Sequence, residues 1–206
     1  MNKTGLAGIV LALGTGCGSA AISQEQVFAN HLVQLRQANN AVLVIDMQES
    51  FLNELDPEEK EEEIPYQIEV LNAAKRNNIP IFVIEYEGMG STIDELMNVI
   101  STSDYEIVTK PGNNGFRRTN LDELLKEKGI HSLTLMGVFA SACVYATAGG
   151  ALQSGYEILT STEVIADSDS TYSTTNHNNQ SAEWYAEHGT LFDNHDQIVN
   201  YLDRQW

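Results

Sequence analysis

Basic side chains are scarce in this chain, and their scarcity removes a whole class of function. Eleven lysines and arginines stand against 29 aspartates and glutamates, giving a formal charge of −18 over 206 residues. Binding nucleic acid through a basic face is thereby excluded, because neutralising phosphates needs clustered cations. Acidity on this scale favours solubility and says little about substrate. Cysteine is scarcer still, with only Cys17 and Cys143. If the chain is exported, Cys143 is either alone or accompanied by a lipidated Cys17; neither case gives a structural disulfide, so Cys143 is expected as a free thiol. A membrane-spanning run is also missing at the N-terminus, where the apolar stretch Gly5–Leu13 has nine residues, too few to cross a bilayer. His177, His188 and His195 are spaced too irregularly to read as metal ligands and are expected at surface or lid positions. No internal repeat is visible.

What remains is the composition of a globular protein, with 42% hydrophobic and 19% charged residues and a length that suits one α/β domain. Residues 1–20 have a signal-peptide layout: Lys3, then the apolar run, then small residues around Cys17. Leu13–Cys17 resembles a lipoprotein cleavage site, although Gly14 stands where a larger aliphatic residue is usual; cleavage after Ala20 or Ala21 is the competing route. The expectation is an exported protein, periplasmic or lipid-anchored, whose membrane attachment would run only through Cys17. A cytoplasmic protein with an N-terminal helix is the alternative. Residues 21–206 then form a single domain.

Along that domain, Gln24–Arg36 has the spacing of an amphipathic helix. Ala41–Asp46 is a continuous apolar run ending in a carboxylate, as expected of a central parallel strand. Asp56-Pro57 reads as a helix start, the acidic run Glu58–Glu63 as a solvated first turn or loop, and Ile64–Ala74 as helix. Ile79–Tyr86 is a second strand, Ser91–Ile100 a short helix or lid, and Tyr105–Thr109 a third strand leading into Lys110. Thr119 is expected to cap a helix running to Gly129. A fourth strand leads to Cys143, Gly155–Ser161 forms a fifth, and Glu163–Asp167 continues from it. Ser168–Gln180 reads as a long loop, and Ser181–His188 and Asp196–Leu202 as helices. Strands alternating with helices imply a three-layer, mostly parallel, doubly wound sheet flanked by helices.

In such sheets the functional crevice lies beyond the carboxyl ends of the strands. Three strand ends carry chemistry there: Asp46, Lys110 and Cys143. Cys143 sits between a buried strand and a helix-like stretch, where a helix N-terminus and a nearby lysine both favour a thiolate. A carboxylate beside it can accept the thiol proton and return it to a leaving amine. Read alone, each residue has a plain alternative: a core cysteine, a loop-capping acid, a solvated lysine.

Taken together, Val44-Ile45-Asp46-Met47-Gln48 with Phe51, Lys110 with Phe116, Thr119 and Leu121, and Gly137–Val144 with Thr147-Ala148 resemble the isochorismatase-like cysteine hydrolases. That family includes isochorismatases, nicotinamidases and N-carbamoyl amidases. The resemblance covers about Asn40 to Asp167 and also matches Gly155-Tyr156 and Ala166-Asp167. It implies a catalytic triad of Asp46, Lys110 and Cys143, an oxyanion hole from the N–H groups of Phe139 and Cys143, and a cis peptide at Val138-Phe139. Gln48, Phe51, Phe116 and Tyr145 are carried over as candidate substrate contacts. Oligomers, dimers or tetramers, are common in the family.

Two departures bear on substrate. Nicotinamidases carry histidine metal ligands after the second strand, whereas this chain has Glu85–Gly90 without a histidine, so no metal and no cofactor are expected. The basic residue that isochorismatases often place two positions after the lysine is Gly112 here; Arg117 and Arg118 could compensate. The expected activity is metal-independent cleavage of a small carboxamide or other C–N bond through a thioester. An isochorismatase-type vinyl-ether hydrolase, with Asp46 carrying the chemistry, is the alternative on the same fold. A non-catalytic exported binding protein is the alternative from another class, and a thiol that resists alkylation at neutral pH would favour it.

Overall fold

A computed structural model describes residues 39–55, 57–168 and 182–203. The signal-like segment, the helix expected at Gln24–Arg36, the cap at Asp56 and most of the loop expected at Ser168–Gln180, with His177, lie outside the described residues.

The strands are β1 (Asn40–Ile45), β2 (Ile81–Tyr86), β3 (Tyr105–Lys110), β4 (Ser132–Val138), β5 (Glu157–Ser161), β6 (Ile165–Ala166) and β7 (Thr190–Phe192). They form one sheet in the order β3-β2-β1-β4-β5-β7, with β6 also pairing β4. Every strand pairing is parallel. β1 and β4 are buried at every position, which accounts for their apolar character; the buried Asn40, Ser132 and Thr134 side chains bond to one another. β3 at the sheet edge alternates, with Val108 and Lys110 turned inward and Ile107 exposed.

Flanking these are α1 (Glu49–Leu52), α2 (Pro57–Arg76), α3 (Asp94–Ile100), α4 (Leu121–Glu127), α5 (Cys143–Gln153) and α7 (His195–Leu202), with a helical segment α6 at 182–188. α2 packs against α3 and α7, while α5 lies against β4 and β5. The acidic run at 58–63 belongs to the first turns of α2, where the helix dipole favours negative charge. Three expectations need adjustment. Residues 165–166 do not continue β5 but form a separate strand on β4. A seventh strand, Thr190–Phe192, pairs with β5 between the last two helices. α4 begins after Asn120, whose side chain makes no capping bond; the Thr119 hydroxyl accepts from Leu121 N at 3.4 Å and donates to Gly115 O at 2.5 Å.

Two glycines let neighbouring elements close around the strand ends. At Gly137 a Cβ would sit 2.0 Å from Ile45 O, so only glycine, here at φ 123°, lets β4 close on β1 just before Asp46. At Gly150 a Cβ would meet the Asn114 side chain at 2.5 Å, so the loop after β3 docks directly on α5. Asp46 (φ 54°) and Arg118 (φ 62°) adopt the left-handed conformation that costs a non-glycine residue about 1–2 kcal/mol.

Candidate active site

The carboxyl ends of β1 and β3 and the amino end of α5 converge on Asp46, Lys110 and Cys143. Lys110 Nζ donates to Asp46 Oδ2 at 2.7 Å, and the two side chains are 0% and 1% exposed. The ammonium also donates to Gly112 O at 3.1 Å and lies 4.4 Å from the centroid of the Tyr86 ring. Desolvation of this kind is costly unless each charge is held by partners, and Lys110 has three. Asp46 Oδ1 is buried and makes no hydrogen bond of good geometry. The Cys143 thiol, 5% exposed, faces that carboxylate closely enough for the two to perturb one another.

Burial pushes the Asp46 carboxyl above its usual range, against the opposing pull of Lys110. Burial, and then the neighbouring Asp46 charge, push the Cys143 thiol up to about 12, which Lys110 only partly offsets. The expected lowering of the thiol by the lysine is thus present but outweighed, which favours a neutral thiol. Moving the thiol proton to Asp46 leaves the net charge of the group unchanged. One negative charge simply passes from oxygen to sulfur beside the same ammonium, so the transfer adds no new charge to the buried site.

The turn between β4 and α5 is fixed on several sides. Val138-Phe139 is a cis peptide. Ala142 and Val144 N–H both donate to Phe139 O, at 3.0 and 3.1 Å. Ala140 N–H donates to Ala166 O, Ser141 N–H to Asp167 Oδ2, and the Tyr185 hydroxyl to Ala140 O. Cys143 opens α5, so its own N–H has no acceptor within the helix and is free to face a ligand.

The four candidate contacts separate. Phe51 makes edge-on contacts with Tyr86 and Phe139, both at 5.8 Å, forming an aromatic wall by the cluster. Gln48 is fully buried with its amide spent: it donates to Tyr86 O and Gly90 O and accepts from Tyr86 N. It braces the 86–90 segment, with both of its amide N–H groups engaged there. Phe116 packs on Tyr156, which precedes β5. Tyr145 is largely exposed and packs on Trp184 of α6. Sequence reasoning passed over Tyr86, whose ring supports the ammonium; an aromatic at the end of the β2 strand was the available signal.

His188 stacks on Trp184. His195 is held by Glu163 at 2.6 Å and Glu69 at 3.3 Å, and stacks on Tyr66. Glu69, His195 and Asp196 are close enough together to hold an ion, and none of these contacts reaches the Asp46 cluster. Glu85, near the end of β2, accepts from Thr92 N at 2.7 Å.

A family model, the isochorismatase domain, matches residues 40–188. The chain belongs to the isochorismatase family. This is a family of hydrolases, and the doubly wound sheet is its fold. A secreted isochorismatase effector of Verticillium dahliae is 30% identical over 81 residues, covering 39% of this chain and 43% of that protein. The chain thus spans less than half the length of that relative. An isochorismatase-like hydrolase from Alkaliphilus metalliredigens is 29% identical, with a TM-score of 0.68 over 79% of this chain and 98% of the other. N-carbamoylsarcosine amidase from Thermoplasma acidophilum, 23% identical with a TM-score of 0.62 over 74% of this chain and 95% of the other, shares the fold.

Proposed function

We propose that this isochorismatase-family protein is a metal-independent cysteine hydrolase that cleaves small carboxamides or related C–N bonds. The observation that carries the reading is the buried Asp46–Lys110–Cys143 cluster, with the unoccupied Asp46 Oδ1 beside the thiol. In this mechanism Asp46 Oδ1 takes the proton from Cys143 Sγ as sulfur attacks the amide carbonyl. The carbonyl oxygen, now an oxyanion, is held by the N–H groups of Phe139 and Cys143; one such donor is worth about 10²–10³ in rate. Collapse breaks the C–N bond, and Asp46 returns its proton to the departing nitrogen. A water molecule then gives a proton to Asp46 and attacks the thioester. The carboxylic acid leaves, and Cys143 recovers its proton.

Lys110 transfers no proton in this scheme. Its role is electrostatic, keeping one negative charge tolerable on either Asp46 or Cys143 in a buried site. Phe51, Phe139 and Tyr86 suit a flat or apolar acyl group.

The test is ammonia release from a panel of small amides, including nicotinamide, N-carbamoyl compounds and aliphatic amides, with isochorismate followed separately. Wild type, Cys143→Ala and Asp46→Ala are compared. Turnover lost in both variants is the expected result. Isochorismate turnover that survives Cys143→Ala but not Asp46→Ala would replace this reading with vinyl-ether hydrolysis.

A further inference from the structure

We propose that the concavity between the 111–118 loop and α5 is a binding site for a small anionic group, a carboxylate or a phosphate. It has a volume of about 450 Å³ and is lined by Gly112, Asn113, Asn114, Arg117, Arg118 and Ala146. That volume lies in the range of small-molecule sites.

Charge makes the place unusual. With 29 acids against 11 bases, carboxylates are plentiful, yet the described cations divide between those that hold one and those that do not. Arg76, Lys110, Lys126 and Lys128 each hold one. Among the described residues, the Arg117 and Arg118 guanidiniums hold none, although they are neighbours in sequence and line the same hollow. Two like charges lining one hollow favour a bound anion, and planar guanidinium forks match carboxylate and phosphate oxygens.

The backbone points the same way. Arg118 occupies a left-handed conformation that glycine would adopt without strain. An arginine at that position puts a charge into the hollow at a conformational cost. The frame holding the pair is firm. Asn114 Oδ1 accepts from Phe116 N at 2.8 Å, Gly115 N donates to Thr147 Oγ1 at 3.0 Å, and Gly150 admits the Asn114 side chain against α5.

The hollow also shares a wall with the Asp46 cluster. Gly112 lines it, while the Gly112 carbonyl accepts from Lys110 Nζ at 3.1 Å. Ala146 lies one turn along α5 from Cys143. An anion seated on the arginines therefore rests against the loop that positions the ammonium. The group is either the charged tail of a substrate or a free small anion, and the site stands whatever chemistry Cys143 performs.

The experiment is calorimetric titration of the full chain with inorganic phosphate, at ionic strength held constant with chloride. Wild type is compared with the Arg117→Gln/Arg118→Gln double variant and with Arg118→Gly. Saturable binding by wild type, weakened about tenfold or more in both variants, is expected. Arg118→Gly is also expected to melt no lower than wild type without anion, since it relieves the backbone; loss of binding in that variant therefore cannot be ascribed to misfolding. Titrating Cys143→Ala, which bypasses turnover, with N-carbamoylglycine and with acetamide identifies the source. N-carbamoylglycine that binds and displaces phosphate marks a substrate tail, whereas phosphate bound and not displaced marks a free anion. Binding that is equally strong in the double variant, or no saturable binding of either anion, would overturn the proposal.

Discussion

Replacing Lys110 with methionine tests the electrostatics of the cluster most directly, because it keeps an unbranched apolar stem and removes only the charge. Lys110 and Asp46 are 0% and 1% exposed and 2.7 Å apart, so the substitution leaves a carboxylate buried without its counter-ion. Breaking a buried pair from one side costs about 3–5 kcal/mol. At 2–4 °C per kcal/mol for a domain of this size, that is a fall in Tm of about 6–20 °C. The loss depends on pH in a defined direction. Burial already raises the Asp46 carboxyl above 3.8 against the pull of Lys110, and without the lysine it rises further. A raised carboxyl contributes stability that is present below its unfolded value and is lost as pH climbs through the folded one. Lys110→Met is therefore close to wild type in acid and furthest below it near pH 8. Adding Asp46→Asn removes the stranded charge and recovers most of the loss. Denaturant unfolding of the two single variants and the double at acid and neutral pH closes the cycle. A penalty under about 1 kcal/mol at pH 8, or a double variant no better than Lys110→Met, would refute the argument that the pair is a desolvated unit.

Alkylation of Cys143 in the substrate-free protein should rise with pH toward a midpoint of about 12, against 9.0 for an unperturbed thiol. Near neutral pH that makes it about a thousandfold slower than an ordinary cysteine, and a midpoint near 8 would contradict the burial argument. Slow alkylation is then no mark of a binding protein, since the proposed nucleophile is activated only as its proton passes to Asp46. Because the folded thiol holds its proton more tightly than the unfolded one, stability is complete below pH 9 and falls as pH rises toward 12; Cys143→Ser should flatten that alkaline limb. Gly137→Ala, which forces a Cβ to 2.0 Å from Ile45 O at positive φ, should cost roughly 2–6 kcal/mol by denaturant unfolding. Gln48→Ala removes hydrogen bonds to Tyr86 and Gly90, and should speed amide exchange over residues 86–92 while costing about 1–3 kcal/mol.

The cluster was legible in the sequence because its members sit at strand ends, and parallel strands deliver their ends to one edge of the sheet. Once Ala41–Ile45, Tyr105–Thr109 and Leu133–Val138 read as strands, Asp46, Lys110 and Cys143 had to share that edge. The less regular elements were harder to read for physical reasons. Thr190–Phe192 is too short to show a period of two, and Ile165–Ala166 is a strand only because β4 lies beside it. Side-chain roles depend on partners distant in sequence: Gln48 is spent on residues about forty positions away, and Phe116 is drawn to Tyr156. Desolvation is the property least visible in a sequence, and here it decides the state of the thiol. The neighbours of Cys143 suggest a thiolate, but the burial of all three groups gives a neutral thiol. The same burial that silences the thiol raises Asp46, and in the proposed mechanism a carboxylate of raised basicity is the acceptor that a reluctant thiol needs. One desolvated pocket thus sets both affinities so that the proton has somewhere to go, with Lys110 keeping the total charge at zero throughout.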